Sequence, residues 1–380
     1  DCLFISLKGP NFNANEFAAE ALEKGAKYVL VDEEKYATSS ATYLVEDGLD
    51  ALQGLAKFHR SKLSIPIVGI TGSNGKTTTK ELISGVLNKK YKTYFTQGNL
   101  NNHIGVPLTM LSIQQAVEIA VIEMGANHVG EIAGLCEIAR PTHGLITNIG
   151  RAHIEGFGGI EGIIRGKSEL YQFLRAHDGT VFINSQDKIL GNMAKRFEAP
   201  VLYPGEGDFL HIEYCGTDPF LSFIGESKRE ITTQMIGAYN FYNVAAALCV
   251  GKYFEVPEHL AESAIVEYVP ENNRSQVIKK ESNMIILDAY NANPTSMKAA
   301  LESLISLKEP NKVAILGDML ELGDESDSAH QEIVELVVEN QLQLYAVGQH
   351  MAQAVDRISC PALIFKDWEE LASYLNNHPI

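Results

Sequence analysis

The chain has 380 residues, with 31 Lys and Arg against 48 Asp and Glu, so its formal net charge is −17. The length predicts about two or three domains, and 45% hydrophobic with 21% charged residues is typical of a folded protein rather than a disordered one. An acidic chain is repelled by nucleic acid and by anionic lipid, so we expect neither as a partner, although a local positive pocket can still bind a small anion.

The apolar segments and the cysteines indicate the cellular compartment of the protein. No segment approaches the roughly 18 consecutive apolar residues of a membrane span, and the start of the chain lacks the pattern of a signal peptide. The five cysteines are odd in number and include no Cys-x-x-Cys pair, which counts against a zinc ribbon or a dithiol redox site. We therefore expect free thiols in the cytoplasm.

Short apolar runs alternate with helical patterns along the chain. A helical pattern over 17–26 precedes a strand-like run over 27–32. Further strand-like runs cover 65–70, 116–124, 144–149, 180–184, 283–288, 312–318 and 342–348, and helical stretches cover 78–88, 160–174 and 295–307. Because the runs are continuous rather than alternating, they predict strands buried on both faces of mainly parallel sheets, and so an α/β class. Residues 205–230 are typical of short antiparallel strands and turns.

Two polar breaks divide the chain. One lies at 59–62 before a predicted strand, and the other is the turn-rich 270–273. They predict domains at 1–62, 63–270 and 271–380. Five strand-like runs also end in a residue able to bind a ligand: Glu123, Asn148, Asn184, Asp288 and Asp318. Since ligands bind beyond the carboxyl ends of parallel strands, the series favours a ligand-lined crevice.

The sharpest local signal is a predicted strand that runs into a glycine-rich loop and then a helix. The loop reads Thr71-Gly72-Ser73-Asn74-Gly75-Lys76-Thr77. Its N–H groups would cradle phosphate, Lys76 would reach the β- and γ-phosphates, and the Thr77 hydroxyl would bind Mg²⁺. The strict pattern G-x-x-x-x-G-K-[ST] fails at one position, because Ile70 stands where a glycine is required. The context still predicts ATP or GTP with Mg²⁺.

The phosphate loop alone permits a switch GTPase, a motor, a kinase or a ligase. The chain has no N-K-x-D element for a guanine base, which disfavours the switch. Glu123 ends a strand after the loop and suits Mg²⁺, which prefers hard oxygen ligands. His153 lies in a glycine-rich loop after another strand, and Lys167 lies on the following helix. Neither His153 nor Lys167 indicates a role by itself.

Four stretches carry a resemblance to a known family. TGSNGKTTTKE, EMGANHVGEI, TNIGRAHIEGFG followed by GKSELY, and GAYNFYNVAAA resemble the motif series of the Mur ligases, the ATP-dependent amide-forming enzymes of peptidoglycan assembly. LDAYNANPTSMKAAL and LGDMLELGDES resemble the member that adds D-alanyl-D-alanine to UDP-N-acetylmuramoyl-tripeptide, as do FISLKGPNFNANEF and TQGNLNNHIGVPLTML. The resemblance extends through nearly the whole chain and implies that both outer domains are incomplete.

The resemblance implies a fold and a reaction. The family has a UDP-substrate domain, a central ATPase domain and a C-terminal Rossmann-like domain, which agrees with the breaks at 62 and 270. The implied substrates are ATP, UDP-N-acetylmuramoyl-tripeptide and D-alanyl-D-alanine, with Mg²⁺ as cofactor, and we expect a monomer. The third residue of the tripeptide, diaminopimelate or lysine, and the general base stay open.

The resemblance also implies residue roles. Lys76 and Thr77 keep the phosphate and Mg²⁺ roles, Glu123 and His153 would hold a second Mg²⁺, and Lys167 would do so as a carbamate, which turns a cation into an oxygen ligand. Asn240 and Asn243 would lie near the adenine, where the usual histidine of the motif is Tyr239. Arg274 would contact the γ-phosphate and Asp288 the ribose. Tyr290, Asn291 and Asn293 would contact the dipeptide. Asn99, Asn101 and Asn102 would contact the muramoyl peptide. Ser6, Lys8 and Asn13 would contact the uridine diphosphate. A run of Asn13-Ala14-Asn15 replaces the family's Asp-Gly-His.

Three alternatives remain at this stage. Folylpolyglutamate synthetase shares the loop type and the lysine, but the first domain and the Tyr290–Pro294 stretch disfavour it. A P-loop switch or regulatory binder would lack ligase chemistry. An inactive scaffold is disfavoured because the proposed catalytic set is intact: Lys76, Thr77, Glu123, His153, Lys167 and Arg274.

Overall fold

The computed structural model describes residues 2–271 and 273–378. The first part of the chain forms a small parallel sheet of order β1–β4–β5 with a separate short hairpin of β2 and β3. Its own small core contains Ala18, Val29 and Val31. The elements are β1 Cys2–Ile5, β2 Lys8–Gly9, β3 Phe12–Asn13, α1 Ala18–Glu23, β4 Ala26–Val31, β5 Thr42–Leu44 and α2 Gly48–Ser61.

The middle of the chain is built on a six-stranded sheet. Its order is β11–β10–β9–β6–β8–β7, and every pairing is parallel. The elements are β6 Ile67–Thr71, α3 Lys76–Asn88, β7 Thr93–Phe95, α4 Gly105–Leu111, β8 Ile119–Glu123, α5 Glu131–Ala139, β9 His143–Ile146, α6 Ile154–Phe157, α7 Ile160–Ala176, β10 Thr180–Asn184, α8 Lys188–Ala194, β11 Val201–Tyr203, β12 Glu213–Thr217, β13 Leu221–Ile224, β14 Glu230–Thr232, α9 Asn240–Tyr253 and α10 Glu258–Glu267.

The two faces of this sheet explain its continuous apolar strands. Successive side chains of a strand point to opposite faces. Ile67 packs into the core that contains Leu135 of α5 and Leu170 of α7. Its neighbour Val68 packs into the core that contains Ile83 of α3 on the other face. Because helices cover both faces, every residue of β6 and of β8 is buried, and the sheet confirms the predicted α/β class.

The last part of the chain carries a hairpin and a third parallel sheet. The sheet order is β17–β18–β19, with both pairings parallel. The elements are β15 Gln276–Lys280, β16 Asn283–Leu287, α11 Pro294–Ser306, β17 Val313–Gly317, α12 Ser326–Glu339, β18 Gln343–Val347, α13 Gln349–Ile358, β19 Ala362–Phe365 and α14 Trp368–Asn377.

One predicted strand differs in its pairing. The run at 283–288 forms β16, but it pairs antiparallel with β15 and is only partly buried, so its assignment to a doubly covered parallel sheet was wrong. A short apolar run does not reveal which strand it pairs with, because a strand of a hairpin and a strand of a parallel sheet can have the same local sequence pattern. The antiparallel excursion is confirmed: β12, β13 and β14 form a three-stranded antiparallel sheet.

The proposed domain limits fall in loops, between α2 and β6 and between α10 and β15. The end of α2 nevertheless packs on the middle of the chain, because the Arg60 guanidinium donates to the carbonyls of Ala139 and Arg140. The limits at 62 and 270 stay a proposal. Within 2–271 and 273–378, no helix has both the length and the apolar character needed to cross a bilayer.

Candidate active site

The phosphate loop joins the end of β6 to the start of α3. Gly72 and Gly75 have φ of 144° and 77°, a left-handed backbone that glycine adopts without steric cost. The ammonium of Lys76 folds back over the loop and donates to the carbonyls of Gly72 at 2.8 Å and Ser73 at 3.1 Å. Burial lowers the Lys76 pKa, with Arg274 acting in the same direction and Glu123 against it. The loop lies between a buried strand and a helix, as the sequence predicted, and its role in binding phosphate stays a prediction.

Side chains behind the loop hold its shape. The Thr147 hydroxyl and the Asn148 amide donate to the Asn74 carbonyl at 2.6 and 2.9 Å. Asn243 lies against the loop, since its Oδ1 accepts from Thr79 at 3.0 Å and lies 2.7 Å from where a Cβ on Gly75 would stand. Asn240 in turn accepts from the Asn243 amide at 2.8 Å. Both asparagines line the cavity in front of the loop, but in this structure their hydrogen bonds support the loop.

Glu123 lies at the end of β8, directly behind Thr77. Its side chain is only 1% exposed. Oε1 accepts from the Thr77 hydroxyl at 3.2 Å and from the Asn101 amide at 2.8 Å. Oε2 is buried without a hydrogen-bond partner among the described residues. A buried carboxylate oxygen is costly to leave unpaired, so this atom marks a place for a cation.

Lys80 is a residue that the sequence analysis missed. It lies one helical turn after Lys76 on α3, is 1% exposed, and its ammonium is 3.8 Å from Glu123 Oε2. The same nitrogen lies over the Phe95 ring. Burial lowers the Lys80 pKa, and Glu123 acts in the opposite direction. The signal was available in the spacing, because residues four apart share a helix face.

Lys167 lies on α7 and is 1% exposed. Its ammonium donates to the Ala126 carbonyl at 3.0 Å and lies over the Phe157 ring. Burial, and then the charge of Lys76, hold the Lys167 pKa well below its usual range. A neutral amine is the form that reacts with CO₂, so this environment suits the carbamate that the resemblance implies. The unmodified amine supplies no oxygen ligand.

His153 meets the C-terminal part of the chain. Its Nδ1 bonds to a carboxylate oxygen of Glu321, a residue the sequence analysis left without a role. His153 lines the same cavity as Glu123. Among residues 2–271 and 273–378, however, no three His, Cys, Asp or Glu side chains lie close enough together to hold a metal ion. The site of the second Mg²⁺, with Lys167 as its carbamate, stays a prediction.

The opposite side of the cavity comes from β15, β16 and the loop before α11. The Arg274 guanidinium stacks 3.8 Å from the centre of the Tyr290 ring. The face of an aromatic ring attracts a cation, so this contact is favourable. The Tyr239 hydroxyl contacts the Ser275 hydroxyl at 2.6 Å and donates to Asp288 at 3.4 Å. Tyr239 stands at the histidine position of the motif, so this chain has a phenol hydroxyl there in place of an imidazole. Partial desolvation raises the Asp288 pKa.

A pair of amides closes the gap between the two sides. The Asn293 Nδ2 donates to Asn74 Oδ1 at 2.7 Å, and the Asn74 amide returns a longer contact of 3.4 Å. Asn293 also caps α11, because its Oδ1 accepts from the backbone N–H of Ser296 at 2.9 Å. Its contacts are therefore to the phosphate loop and to its own helix.

Between the two sides lies a cavity of about 660 Å³. Many predicted residues line it: Ser73, Asn74, Gly75, Lys76, Thr77, Asn101, Asn102, Glu123, His153, Asn240, Asn243, Arg274, Asp288, Tyr290, Asn291 and Asn293. Thr71, Gly72, Asn99 and Lys167 are not among its lining residues. Of the five polar strand ends, Glu123, Asn148 and Asp288 line the cavity. Asn184 accepts from its own turn and Asp318 from the first turn of α13, so three of the five strand ends contribute to the crevice that the series favoured.

The predicted uridine residues lie apart from this cavity. Ser6 is fully buried, and its hydroxyl has no partner among the described residues. Lys8 pairs with Asp32 at 3.1 Å, and the Asn13 amide donates to Glu33 at 2.9 Å. The Lys8 and Asn13 side chains therefore belong to a separate polar cluster in the first part of the chain, which Asn15 connects.

Comparisons with known proteins identify the family. Residues 70–251 match the Mur ligase middle domain, and residues 273–378 match the Mur ligase, glutamate ligase domain. The UDP-N-acetylmuramoyl-tripeptide–D-alanyl-D-alanine ligase of Bacillus subtilis is 38% identical over 340 residues, which cover 87% of this chain and 73% of that protein. The chain belongs to the Mur ligase family. The enzyme of the same name from Escherichia coli is 32% identical over 88% of this chain and 75% of its own.

Solved Mur ligases share the whole fold. MurF of Acinetobacter baumannii aligns with a TM-score of 0.88 at 30% identity, over 99% of this chain and 85% of that one. MurF of Thermotoga maritima, solved in complex with ADP, aligns with a TM-score of 0.87 at 29% identity, over 100% of this chain and 88% of that one. The three-domain Mur ligase architecture expected from the motifs is thereby confirmed.

The residues of this Mur ligase fit a magnesium ion at the phosphate loop. The Thr77 hydroxyl and Oε2 of Glu123, which has the Lys80 ammonium at 3.8 Å but no hydrogen-bond partner among the described residues, are both hard oxygen donors on one buried side of the cavity. Asn101, which was predicted to contact the muramoyl peptide, instead orients Glu123 in this structure.

Proposed function

We propose that this chain is an ATP-dependent ligase that joins D-alanyl-D-alanine to UDP-N-acetylmuramoyl-tripeptide in peptidoglycan precursor synthesis. The single observation that carries the proposal is the cavity itself. In it the phosphate loop faces segment 290–293, whose sequence resembles that of the members that add D-alanyl-D-alanine. Relatives that carry this activity in their names match over most of the chain.

The reaction needs an activated carboxyl group, because a carboxylate does not react with an amine at neutral pH. The terminal carboxylate of the tripeptide attacks the γ-phosphorus of ATP, ADP leaves, and an acyl phosphate forms. The amine of D-alanyl-D-alanine then attacks the acyl carbon, and the tetrahedral intermediate releases phosphate. No protein nucleophile is required, so positioning and charge neutralisation are the tasks left to the protein.

Named residues match those tasks. Lys76 and Arg274 both line the cavity, from opposite sides. Lys76 and the loop N–H groups would bind the β- and γ-phosphates, and Arg274 would contact the γ-phosphate. When bound, Mg²⁺ would neutralise charge on the transferring phosphoryl group. Thr77 and Glu123 would hold it, with His153 and a carbamoylated Lys167 at a second ion. Asp288 is proposed at the ribose, with Asn240 and Asn243 toward the adenine.

The substrate assignments follow the same logic. Asn99, Asn101 and Asn102 are proposed for the muramoyl peptide, and Tyr290, Asn291 and Asn293 for the dipeptide. Ser6, Lys8 and Asn13 are proposed for the uridine diphosphate. We propose a monomer. We place the reaction in the cytoplasm, where ATP is present and thiols stay reduced, as the five free cysteines favour.

The test is a phosphate-release assay with ATP, UDP-N-acetylmuramoyl-tripeptide and D-alanyl-D-alanine, in which each is omitted in turn. We expect release only with all three, and amide product in equal amount. Glutamate with folate should not replace the two ligase substrates. ATP hydrolysis that ignores both of them would instead favour a regulatory P-loop protein.

A further inference from the structure

Glu321 meets the active-site loop of the central domain from the C-terminal side. It lies after β17, in the 316–326 stretch LGDMLELGDES. Its carboxylate accepts a hydrogen bond from Nδ1 of His153, and its carbonyl accepts from the N–H of Glu155 at 3.4 Å. Two hydrogen bonds therefore tie this one residue to both ends of a three-residue segment.

The backbone at both partners is unusual. His153 and Glu321 have φ of 55° and 59°, the left-handed region that histidine and glutamate seldom adopt. Such a conformation costs about 1–3 kcal/mol and persists where surrounding contacts fix it. Arg151 supplies such contacts, since its guanidinium pairs with Glu325 and Glu332 at 2.9 Å each. The two segments are thus held against each other at a defined place.

The hydrogen bond decides which ring nitrogen carries the proton when the imidazole is neutral. An ionised carboxylate only accepts, so the Nδ1 of His153 must carry the proton. In the neutral ring, Nε2 then has a free lone pair. No described residue donates to or accepts from this Nε2, and the side chain lines the cavity. The ring is thereby set to accept at the cavity side.

We propose that Glu321 is a positioning residue for His153, fixing the ring's tautomer and its orientation so that Nε2 can serve as a ligand. The inference rests on the proposed function, because it gives His153 the ligand role named there. Histidines that bind metals commonly donate their other N–H to a carboxylate, and loss of that partner weakens metal binding about 10–100-fold. Since the carboxylate comes from the C-terminal domain, the ligand is complete only when the domains are docked.

The test measures the binding of Mn²⁺ to the full chain in the presence of ADP, with electron paramagnetic resonance as the detection method. We expect Glu321→Ala to weaken Mn²⁺ binding about 10–100-fold and Glu321→Gln to recover part of that loss, because its amide oxygen still accepts from Nδ1. The matched control is Glu332→Gln, which removes the same charge from the same interface but contacts Arg151, and it should stay within about twofold of wild type.

The second readout is the ¹⁵N spectrum of the histidine rings, with His153 assigned from a His153→Gln sample. We expect the Nδ1–H tautomer in the wild type and a shift toward Nε2–H in Glu321→Ala. Unchanged Mn²⁺ affinity with an unchanged tautomer would overturn the proposal, as would a lowered unfolding temperature alone. Neither readout needs turnover, so a wild-type chain without ligase activity would defeat the proposed function while these results still decide the role of Glu321.

Discussion

The side of the cavity that comes from the central domain lies on buried elements, whereas the side that comes from the C-terminal domain is largely exposed. We call the first the central wall, residues 73–77 and Glu123 backed by Lys80 and Lys167, and the second the C-terminal wall, residues 274, 288, 290, 291 and 293. Glu123 and Lys167 are each 1% exposed, but Tyr290 is 49% exposed. The central wall is therefore fixed by the core, and the C-terminal wall by a few contacts across the gap.

This difference has a consequence for catalysis. Groups fixed in the core need no reorganisation when charge develops on the phosphoryl group. Groups held by contacts between domains can act only when the domains are docked. Substitutions in the central wall should therefore lower kcat, and those in the C-terminal wall should mainly raise KM.

The largest expected effect is that of Lys76→Ala. Removal of the cation that we propose binds the β- and γ-phosphates should lower kcat about 10²–10³-fold, in line with the loss of one preorganised charge stabiliser. The measurement is steady-state phosphate release. Lys195→Ala is the control, since Lys195 is exposed and bonds only to Asn192 among the described residues. A Lys76→Ala variant with full turnover would refute the central wall as the phosphate site.

Lys167→Met should lower kcat about 10–100-fold, because a metal ligand formed from its carbamate would be lost. Burial depresses the Lys167 pKa, which favours the neutral amine that reacts with CO₂. Wild-type activity should fall when CO₂ is removed and return with bicarbonate, while Lys167→Met should respond to neither. Crystal density should show the carbamate directly, and an unmodified lysine far from any metal would sink the idea.

Asn293→Ala tests the amide pair between the walls. It should raise KM for ATP about fivefold through the lost contact with Asn74, by roughly the 1 kcal/mol of one hydrogen bond. It should also cost about 1 kcal/mol of stability through the lost helix cap. Asn293→Ser separates the two effects, since serine caps the helix but is too short to reach Asn74. If Asn293→Ser binds ATP like wild type, the pair does not join the walls.

The smallest effect is expected for Tyr290→Phe. The ring that supports Arg274 remains, so kcat and every KM should stay within about twofold. Tyr290→Ala should raise KM for ATP a few-fold, because a cation–aromatic contact of about 0.5–1 kcal/mol is lost. A large increase in KM for the dipeptide in Tyr290→Phe would instead give the hydroxyl the recognition role that the sequence predicted.

The same contrast explains what could be predicted from the sequence. The phosphate loop was identified because Gly72, Gly75, Lys76 and Thr77 act through local backbone and adjacent positions. Lys80 was within reach of the same local spacing. The antiparallel pairing of β16 and the contact of Glu321 with His153 could not be predicted in this way. Each joins two separate segments, and neither segment carries a sequence pattern that indicates the contact. The end of a strand-like run already singled out Asp288, but Arg274 and the ribose role of Asp288 came only from motif resemblance.

Asn101 and Asn243 illustrate a further limit. Both lie where the motifs indicated, on the cavity, yet their amides bond to Glu123 and to Thr79 and Asn240. A motif states which residue is required but not which neighbour it contacts. Such a residue can act on a ligand through the loop or carboxylate that it holds.

The central claim is that this cavity activates a carboxylate as an acyl phosphate. It can be tested with UDP-N-acetylmuramoyl-tripeptide labelled with ¹⁸O in its terminal carboxylate, incubated with ATP and D-alanyl-D-alanine. The account predicts that the released phosphate carries one ¹⁸O per amide bond formed, since the oxygen that attacks the γ-phosphorus leaves with it. Unlabelled phosphate would mean that water attacks ATP, and would contradict the account.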